Sequence, residues 1–433
     1  MNAIHDNAPA LGASRFSPLQ WQVFLTCGAL IMIEGFDLQI VAFVARTVAQ
    51  AWSLNHAQVT ALFTAGVGGS VAGGLLGFLG DRCGRRQVIL ISMGCFGVLT
   101  LLSGLARDAT QLVGLRLLTG ISLGISMPNV FALCAEFSPA TRRSTVVTAV
   151  FCALPLGGSL GGLLSAKLLE TYGWQACFIA CGALPLLFFP AVAKLLPASS
   201  ASRPAQGLIA SNNTVEDGRG SAAEVHGSSG RSVPYSALFS GRFLLGAVCI
   251  PLMSLLGLLV LYFLLNWLPW ILNSAGLDRS RAIFGVVVLN FGGIVGSLMI
   301  GRLMDRTNPY FTLAIAFLVG SLAAIGVPAV IHERAVLPAI FLIGAGLVGA
   351  TAGLNALASV YFPPRVRGAS LGLNYVGAHV GSLGGPALGG FLLANVPNTA
   401  AVFLFGSLPA VVAIALALLM QVHEARIWPP AAS

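Results

Sequence analysis

Charge is what this sequence has least of. Of 433 residues, 23 are Lys or Arg and 14 are Asp or Glu, 9% in all, where soluble globular chains carry about 25%. Together with 56% hydrophobic residues and 52 glycines, that scarcity excludes a soluble multidomain enzyme and a disordered chain. Cysteine is sparse too. The eight cysteines, at 27, 83, 95, 134, 152, 177, 181 and 249, lie mostly inside apolar runs without paired or zinc-type spacing. A disulfide framework is excluded, and the thiols read as small buried apolar side chains rather than metal or redox groups. The Gly-x4-Gly-Lys-Ser/Thr element of nucleotide-driven proteins is missing. No nucleotide, cofactor or metal is therefore expected. The net charge of +9 is not read as a nucleic-acid signal, because bilayer-spanning chains hold Lys and Arg on one side of the membrane.

What is present is apolar length. A membrane span needs about 20 mostly apolar residues, and twelve runs qualify. They fall at 20–45, 57–80, 87–106, 110–134, 145–170 and 174–197, then at 240–272, 281–304, 309–330, 335–360, 369–394 and 398–421. The first reads as a retained span rather than a cleaved signal, since it lacks a separate charged region, short apolar core and cleavage site. Residues 198–238 are rich in Ser, Gly, Ala and Arg, a linker composition. The expected organisation is a six-helix half over 1–197, a cytoplasmic linker over 198–238 and a second six-helix half over 239–433. Basic residues set the orientation. Sixteen of the 23 lie on the side of the termini and linker, and six (Arg46, Arg107, Lys167, Arg279, Arg281, Arg334) on the other. Both termini are thus expected to face the cytoplasm.

The halves repeat. Gly77-Phe-Leu-Gly-Asp81-Arg82 returns as Gly301-Arg-Leu-Met-Asp305-Arg306 at an offset of 224. Pro139-Ala-Thr-Arg142 returns as Pro364-Arg-Val-Arg367 at 225, and Gly158-Ser-Leu-Gly-Gly162 as Gly381-Ser-Leu-Gly-Gly385 at 223. Six spans per half is an even number, so the two copies share one topology and are parallel repeats. Such repeats place a site at their interface near the membrane midplane and alternate access by rocking one half against the other.

Few polar residues sit deep in the spans. Glu34 and Asp37 are the deep carboxylates, and a charge at mid-bilayer costs about 2.5–3.5 kcal/mol on insertion scales. Their i,i+3 spacing places them on one helix face. Burial and like-charge repulsion favour the protonated form, so the pair suits the holding of one proton near neutral pH. Arg116, inside the fourth span, lies at a depth similar to Asp37 and is the expected counter-ion of the pair. His379 is the histidine inside a span, near the midplane of the eleventh. Asn129, Asn266, Asn290, Asn355, Asn374 and Tyr375 should face the bundle interior, where polar side chains find partners.

Gly77-Phe-Leu-Gly-Asp81-Arg82-Cys-Gly84-Arg85-Arg86 resembles the loop signature of the major facilitator superfamily, and Arg116-Leu-Leu-Thr-Gly120-Ile-Ser-Leu-Gly124 resembles its fourth-helix motif. The likeness covers nearly the whole chain. It implies an all-α membrane protein of twelve transmembrane helices in two six-helix parallel repeats, in a bacterial-type inner (plasma) membrane. Glu34-Gly-Phe-Asp37-Leu-Gln39 and Tyr262-Phe-Leu-Leu-Asn266-Trp267-Leu-Pro269 are similar to motifs of the aromatic acid:proton symporters. The leading Glu and the Asn-Trp-Leu-Pro run look most like the 3-(3-hydroxyphenyl)propionate transporters. The resemblance implies a transporter, not an enzyme, taking up a small aromatic carboxylate with protons, 3-(3-hydroxyphenyl)propionate or a similar phenolic acid. A proton-driven exporter and a non-transporting membrane sensor are the alternatives.

A phenolic cargo needs a carboxylate anchor, a hydroxyl partner and an aromatic wall. Asn266, Trp267, Tyr262, Asn374 and Tyr375 offer the last two. His379 stands in a helix where aromatic acid symporters generally carry Arg, and is a candidate anchor that titrates where guanidinium does not. By resemblance Arg116 takes part in proton transfer, while Gly77, Asp81, Arg82, Arg85, Glu136, Arg142 and Asp305 belong to the cytoplasmic gate. The second copy of the loop keeps Asp305 and Arg306 but loses the downstream Gly84-Arg-Arg86, reading on as Thr307-Asn-Pro309, so gating contacts are expected to be stronger in the first half.

Overall fold

A computed structural model describes residues 16–139, 142–197, 243–362 and 364–427. The expected linker at 198–238 lies outside the described residues, and so do the side chains of Arg143, Arg365 and Arg367. The described chain is all helical. Its elements are α1 (Pro18–Trp52), α2 (His56–Leu75), α3 (Leu79–Cys83), α4 (Arg85–Ser103), α5 (Ala109–Phe137), α6 (Arg143–Phe151), α7 (Ala153–Thr171) and α8 (Trp174–Leu195) in the first half. The second half holds α9 (Leu244–Ser274), α10 (Arg279–Met304), α11 (Pro309–Val330), α12 (Val336–Tyr361), α13 (Pro364–Asn395) and α14 (Thr399–Ile427). The expected fifth span is built from α6 and α7, with Cys152 between them.

Eleven described spans are long and apolar enough to cross a bilayer. The twelfth place is taken by α2, whose 20 residues suffice for about 30 Å at 1.5 Å per residue. Its sequence is diluted by Gly66, Gly68, Gly69, Ser70, Gly73 and Gly74, and it packs between α5 and α13. Small residues of this kind let membrane helices approach closely. At Gly73 the backbone lies so near Ile121 of α5 that a Cβ would overlap the Ile121 carbonyl.

Span ends carry the chemistry that stops helices. Ser17 with Gln20 and Asn55 with Gln58 form reciprocal capping boxes, and Asp108, Asp278 and Asn308 cap α5, α10 and α11. Gly84 takes φ +90° in the turn from α3 to α4, a conformation that side chains with a Cβ rarely adopt.

The packing repeats with the sequence. In the first half α1 packs on α7, α2 on α5, and α4 on α8. The same pairs six spans later are α9 on α13, α10 on α12, and α11 on α14. The halves meet through α7 with α10 and through α2 with α13, again a symmetric pair. One end of the first half holds the start of α1 and the ends of α5 and α8. There Gln20 Nε2 donates to the Phe137 carbonyl (2.8 Å) and Gln22 Nε2 to that of Leu195 (2.7 Å). At the far end the two halves are clasped. Arg46 Nη1 donates to Ser274 Oγ (2.7 Å) and its guanidinium lies over Trp270, while His56 and Phe63 of α2 pack on Trp267 of α9.

Candidate functional site

The long first helix is buried along most of its length, and its two carboxylates meet different neighbours. Asp37, 3% exposed, faces Arg116, 2% exposed, on α5. Arg116 Nη1 donates to both Asp37 oxygens, at 3.0 and 3.1 Å, and Nη2 donates to Thr100 Oγ1 at 3.1 Å. Thr100 of α4 in turn donates to Asp37 Oδ1 (3.0 Å), the Cys181 thiol of α8 lies 3.9 Å from the same oxygen, and the Phe178 ring sits 5.2 Å from the guanidinium carbon. A charge pair this deep needs further polar partners; α4 and α8 supply them here, and Arg116 Nε alone of its nitrogens is buried without one.

Glu34 is not part of that cluster. Arg116 is thus the counter-ion of Asp37 rather than of the pair, and among the described residues Glu34 makes no ion pair. It is 3% exposed, shares a small cavity with Ser126, and leaves Oε2 without a partner. Its surroundings are a small cavity lined by Ser92, Met93, Phe96, Leu123, Ser126 and Pro185, about the size of a single water. The separation follows from helix geometry. Three residues turn a helix by about 300°, so the two carboxylates share a face but diverge by about 60° and one turn. Thr100, Phe178 and Cys181 were not foreseen, for each lies in an apolar run where its residue type carries no signal.

A second polar contact sits two residues further along α1. Gln39 Nε2 donates to Asn290 Oδ1 (3.2 Å), and Asn290 Nδ2 donates back to Gln39 Oε1 (2.8 Å). The two amides join the halves.

The residues expected to hold a cargo fall into two groups. Trp267 is fully buried: its Nε1 donates to the Pro386 carbonyl at 2.9 Å, and its ring packs on Gly389 and Phe63. It acts as a wedge joining α9, α13 and α2. Asn266 donates to the Tyr262 carbonyl one turn back (2.7 Å). Asn374 accepts from Ser254 (2.6 Å) and donates to Asn355 (2.9 Å), linking α9, α12 and α13. Tyr375 and His379 are more open and are brought together, ring centroids 3.8 Å apart. His379 Nδ1 lies 2.9 Å from the Tyr375 carbonyl. A carbonyl only accepts, so Nδ1 carries the proton and Nε2 is left bare in the neutral ring.

At the end bearing the α1 N-terminus, Arg85 bonds Asp81 (3.1 Å) and pairs with Glu136 at the end of α5. Asn129 Nδ2 donates to the Gly77 carbonyl (3.0 Å), fixing the start of the same loop. Arg82 stands over the Phe78 ring and Arg142 over Phe16, and no ion pair of either to Asp81 or Glu136 is found among the described residues. Asp305 is exposed, and no ion pair to it is found among the described residues. Asn129 was foreseen as an interior polar residue but not as a strut of this loop.

Two parallel six-helix repeats that meet along α2–α13 and α7–α10 are an architecture shared by many secondary transporters. The model of the Major Facilitator Superfamily matches residues 25–360. A gallate transporter of Pseudomonas putida is 35% identical over 93% of this chain and 92% of its own length. The 4-hydroxybenzoate transporter PcaK of the same organism is 33% identical over 86% and 87%. The 3-(3-hydroxy-phenyl)propionate transporter of Escherichia coli (strain K12) is 31% identical over 93% and 94%. The crystal structure of a bacterial homologue of the human lysosomal transporter Spinster, inward-facing and unoccupied, superposes with a TM-score of 0.71 at 16% identity, covering 96% of this chain and 100% of that one. The chain belongs to the major facilitator superfamily and, within it, to the family of these three bacterial transporters. It is a multi-pass membrane protein and not an enzyme.

Proposed function

We propose that this protein imports an aromatic carboxylate together with protons across a bacterial inner membrane, by alternating access, with both termini in the cytoplasm. The relatives are named for gallate, 4-hydroxybenzoate and 3-(3-hydroxyphenyl)propionate. These acids share a carboxylate and a ring hydroxyl, and the proposed cargo is 3-(3-hydroxyphenyl)propionate or a similar phenolic acid.

The observation that carries the proton reading is the unequal state of the two α1 carboxylates. Asp37 is held by Arg116 and Thr100, whereas Glu34 has an oxygen without a partner beside a small cavity. An unpaired carboxylate away from water is stable only when protonated. Glu34 therefore holds a proton while its surroundings stay dry, and releases it when rocking opens them to cytoplasmic water. Asp37 and Arg116 support the exchange by keeping a fixed buried charge pair one turn away. His379 supports the carboxylate end. With Nδ1 committed to the Tyr375 carbonyl, Nε2 donates to an anion only as imidazolium. Anion and proton then enter the site together.

Uptake of a panel of radiolabelled aromatic acids into proteoliposomes tests this reading. Accumulation of a phenolic acid against its gradient, driven by an inward proton gradient, is the expected result. Equal equilibration with and without that gradient contradicts it.

A further inference from the structure

Proton and carboxylate leave one feature of the cargo without a partner, its ring hydroxyl. Asn266 and Asn374 bond only within the C-terminal half, to Tyr262, Ser254 and Asn355. The amide pair between Gln39 and Asn290 instead spans the two halves.

Gln39 follows Asp37 by two residues, which turns it about 200° around α1. It therefore faces away from the Asp37–Arg116 cluster, toward α7 and across the boundary to α10. Along their helices, Gln39 lies thirteen residues from the end of α1 at Trp52 and Asn290 eleven from the start of α10 at Arg279. At 1.5 Å per residue these are about 20 and 16 Å, so the pair sits in the middle of the membrane. Gly158 makes room for it: a Cβ there would fall 2.6 Å from Gln39 Cδ and 2.7 Å from its Oε1. Gln39 is half-buried and Asn290 buried.

Each amide has two N–H donors and a carbonyl with two lone pairs. The reciprocal contact uses one donor and one acceptor site on each side chain, which leaves an N–H and a lone pair on each. A hydroxyl, donor and acceptor at once, is matched to what is left. A carboxylate, which only accepts, is not.

We propose that Gln39 and Asn290 recognise the ring hydroxyl of the cargo and so select hydroxylated aromatic acids over unsubstituted ones. The assignment rests on the reading that the cargo is an aromatic carboxylate. Because the two residues belong to opposite halves, a hydroxyl held by both also ties cargo binding to the closeness of the halves. Gly158 is a positioning residue that acts through Gln39.

The test is equilibrium binding of labelled benzoate, 3-hydroxybenzoate and 4-hydroxybenzoate to the purified full chain. The wild type is compared with Gln39→Met, Asn290→Leu and Gly158→Ala, each checked by thermal unfolding. The wild type should prefer a hydroxylated acid by about tenfold, the worth of one such hydrogen bond. Each variant should bring that acid to parity with benzoate while its benzoate affinity stays near the wild-type value. Gly158→Ala keeps both amides and only displaces one, so it reads their geometry rather than their presence. Equal loss for all three acids would make the pair a mere contact between halves and overturn the proposal, as would a preference that survives in the variants. A wild type that binds benzoate and the hydroxylated acids equally also overturns it, with the cargo reading left standing. If the wild type binds none of them, the cargo reading itself fails and the proposal falls with it.

Discussion

Arg116 reaches both oxygens of Asp37 through a single nitrogen, Nη1, at 3.0 and 3.1 Å, and turns its other terminal nitrogen to Thr100. The second carboxylate of the same helix, Glu34, has no such partner among the described residues. Two acids that look alike in the sequence are therefore set to do different work.

Their substitutions should differ in kind. Asp37→Asn leaves a buried guanidinium without its counter-charge and should destabilise the fold by about 3–5 kcal/mol. Glu34→Gln removes no ion pair and should leave stability nearly unchanged. Both should abolish proton-driven accumulation. Thermal unfolding beside transport, measured on the same preparations, checks this. Equal destabilisation by the two would return Glu34 to the ionic cluster.

The pair itself can be tested by a double-mutant cycle. Arg116→Gln alone strands a buried carboxylate and should cost as much as Asp37→Asn. The double variant should cost much less than the sum of the singles, because no uncompensated charge is left behind. Additive losses in unfolding free energy would mean that the two side chains are not coupled.

At the gate, the depth of each partner ranks the effects. The Asp81 side chain is 68% exposed and Glu136 26%, and exposed ion pairs contribute about 0–1 kcal/mol. Glu136→Gln should therefore slow transport more than Asp81→Asn, and Asp305→Asn should do least. Cargo affinity should change little in all three. Initial transport rates with matched binding constants decide the order, and a dominant Asp305 effect would remove the asymmetry between the repeats.

For His379 the sign of the pH effect is fixed by its tautomer. Nε2 donates to a carboxylate only in the protonated ring, so cargo affinity should fall as pH rises through the histidine range, about 6.5 when unperturbed. His379→Arg should hold affinity level across about pH 5.5–8, since guanidinium stays charged. Binding to purified protein, with no gradient present, measures this directly. An alanine variant that binds as the wild type does at every pH would assign the carboxylate elsewhere.

Much of this was legible in the sequence, and what was not has a common cause. Run length, charge bias and the three motifs repeated near an offset of 224 led to the repeat architecture, and counting residues from the span ends placed Arg116 level with Asp37. Such counting gives depth along a helix but not direction around a bundle. It could not separate Glu34 from Asp37, nor tell that Trp267 would give its Nε1 to Pro386 and Asn374 its amide to Asn355. Those outcomes depend on which neighbours the packing rotates into reach. Gln39 stood inside the quoted α1 motif and Asn290 among the interior polar residues, but 251 residues separate them. Only the meeting of α1 and α10 makes them a pair.

The central claim, that proton and cargo cross together, is tested most directly by following protons rather than cargo. Proteoliposomes holding an internal pH indicator, with no imposed gradient, are given an inward gradient of 3-(3-hydroxyphenyl)propionate or 4-hydroxybenzoate. The account predicts that the lumen acidifies with the entry of the acid, that benzyl alcohol produces no such signal, and that Glu34→Gln abolishes it. Cargo entry by the wild type with no proton movement beyond that of protein-free vesicles would contradict it.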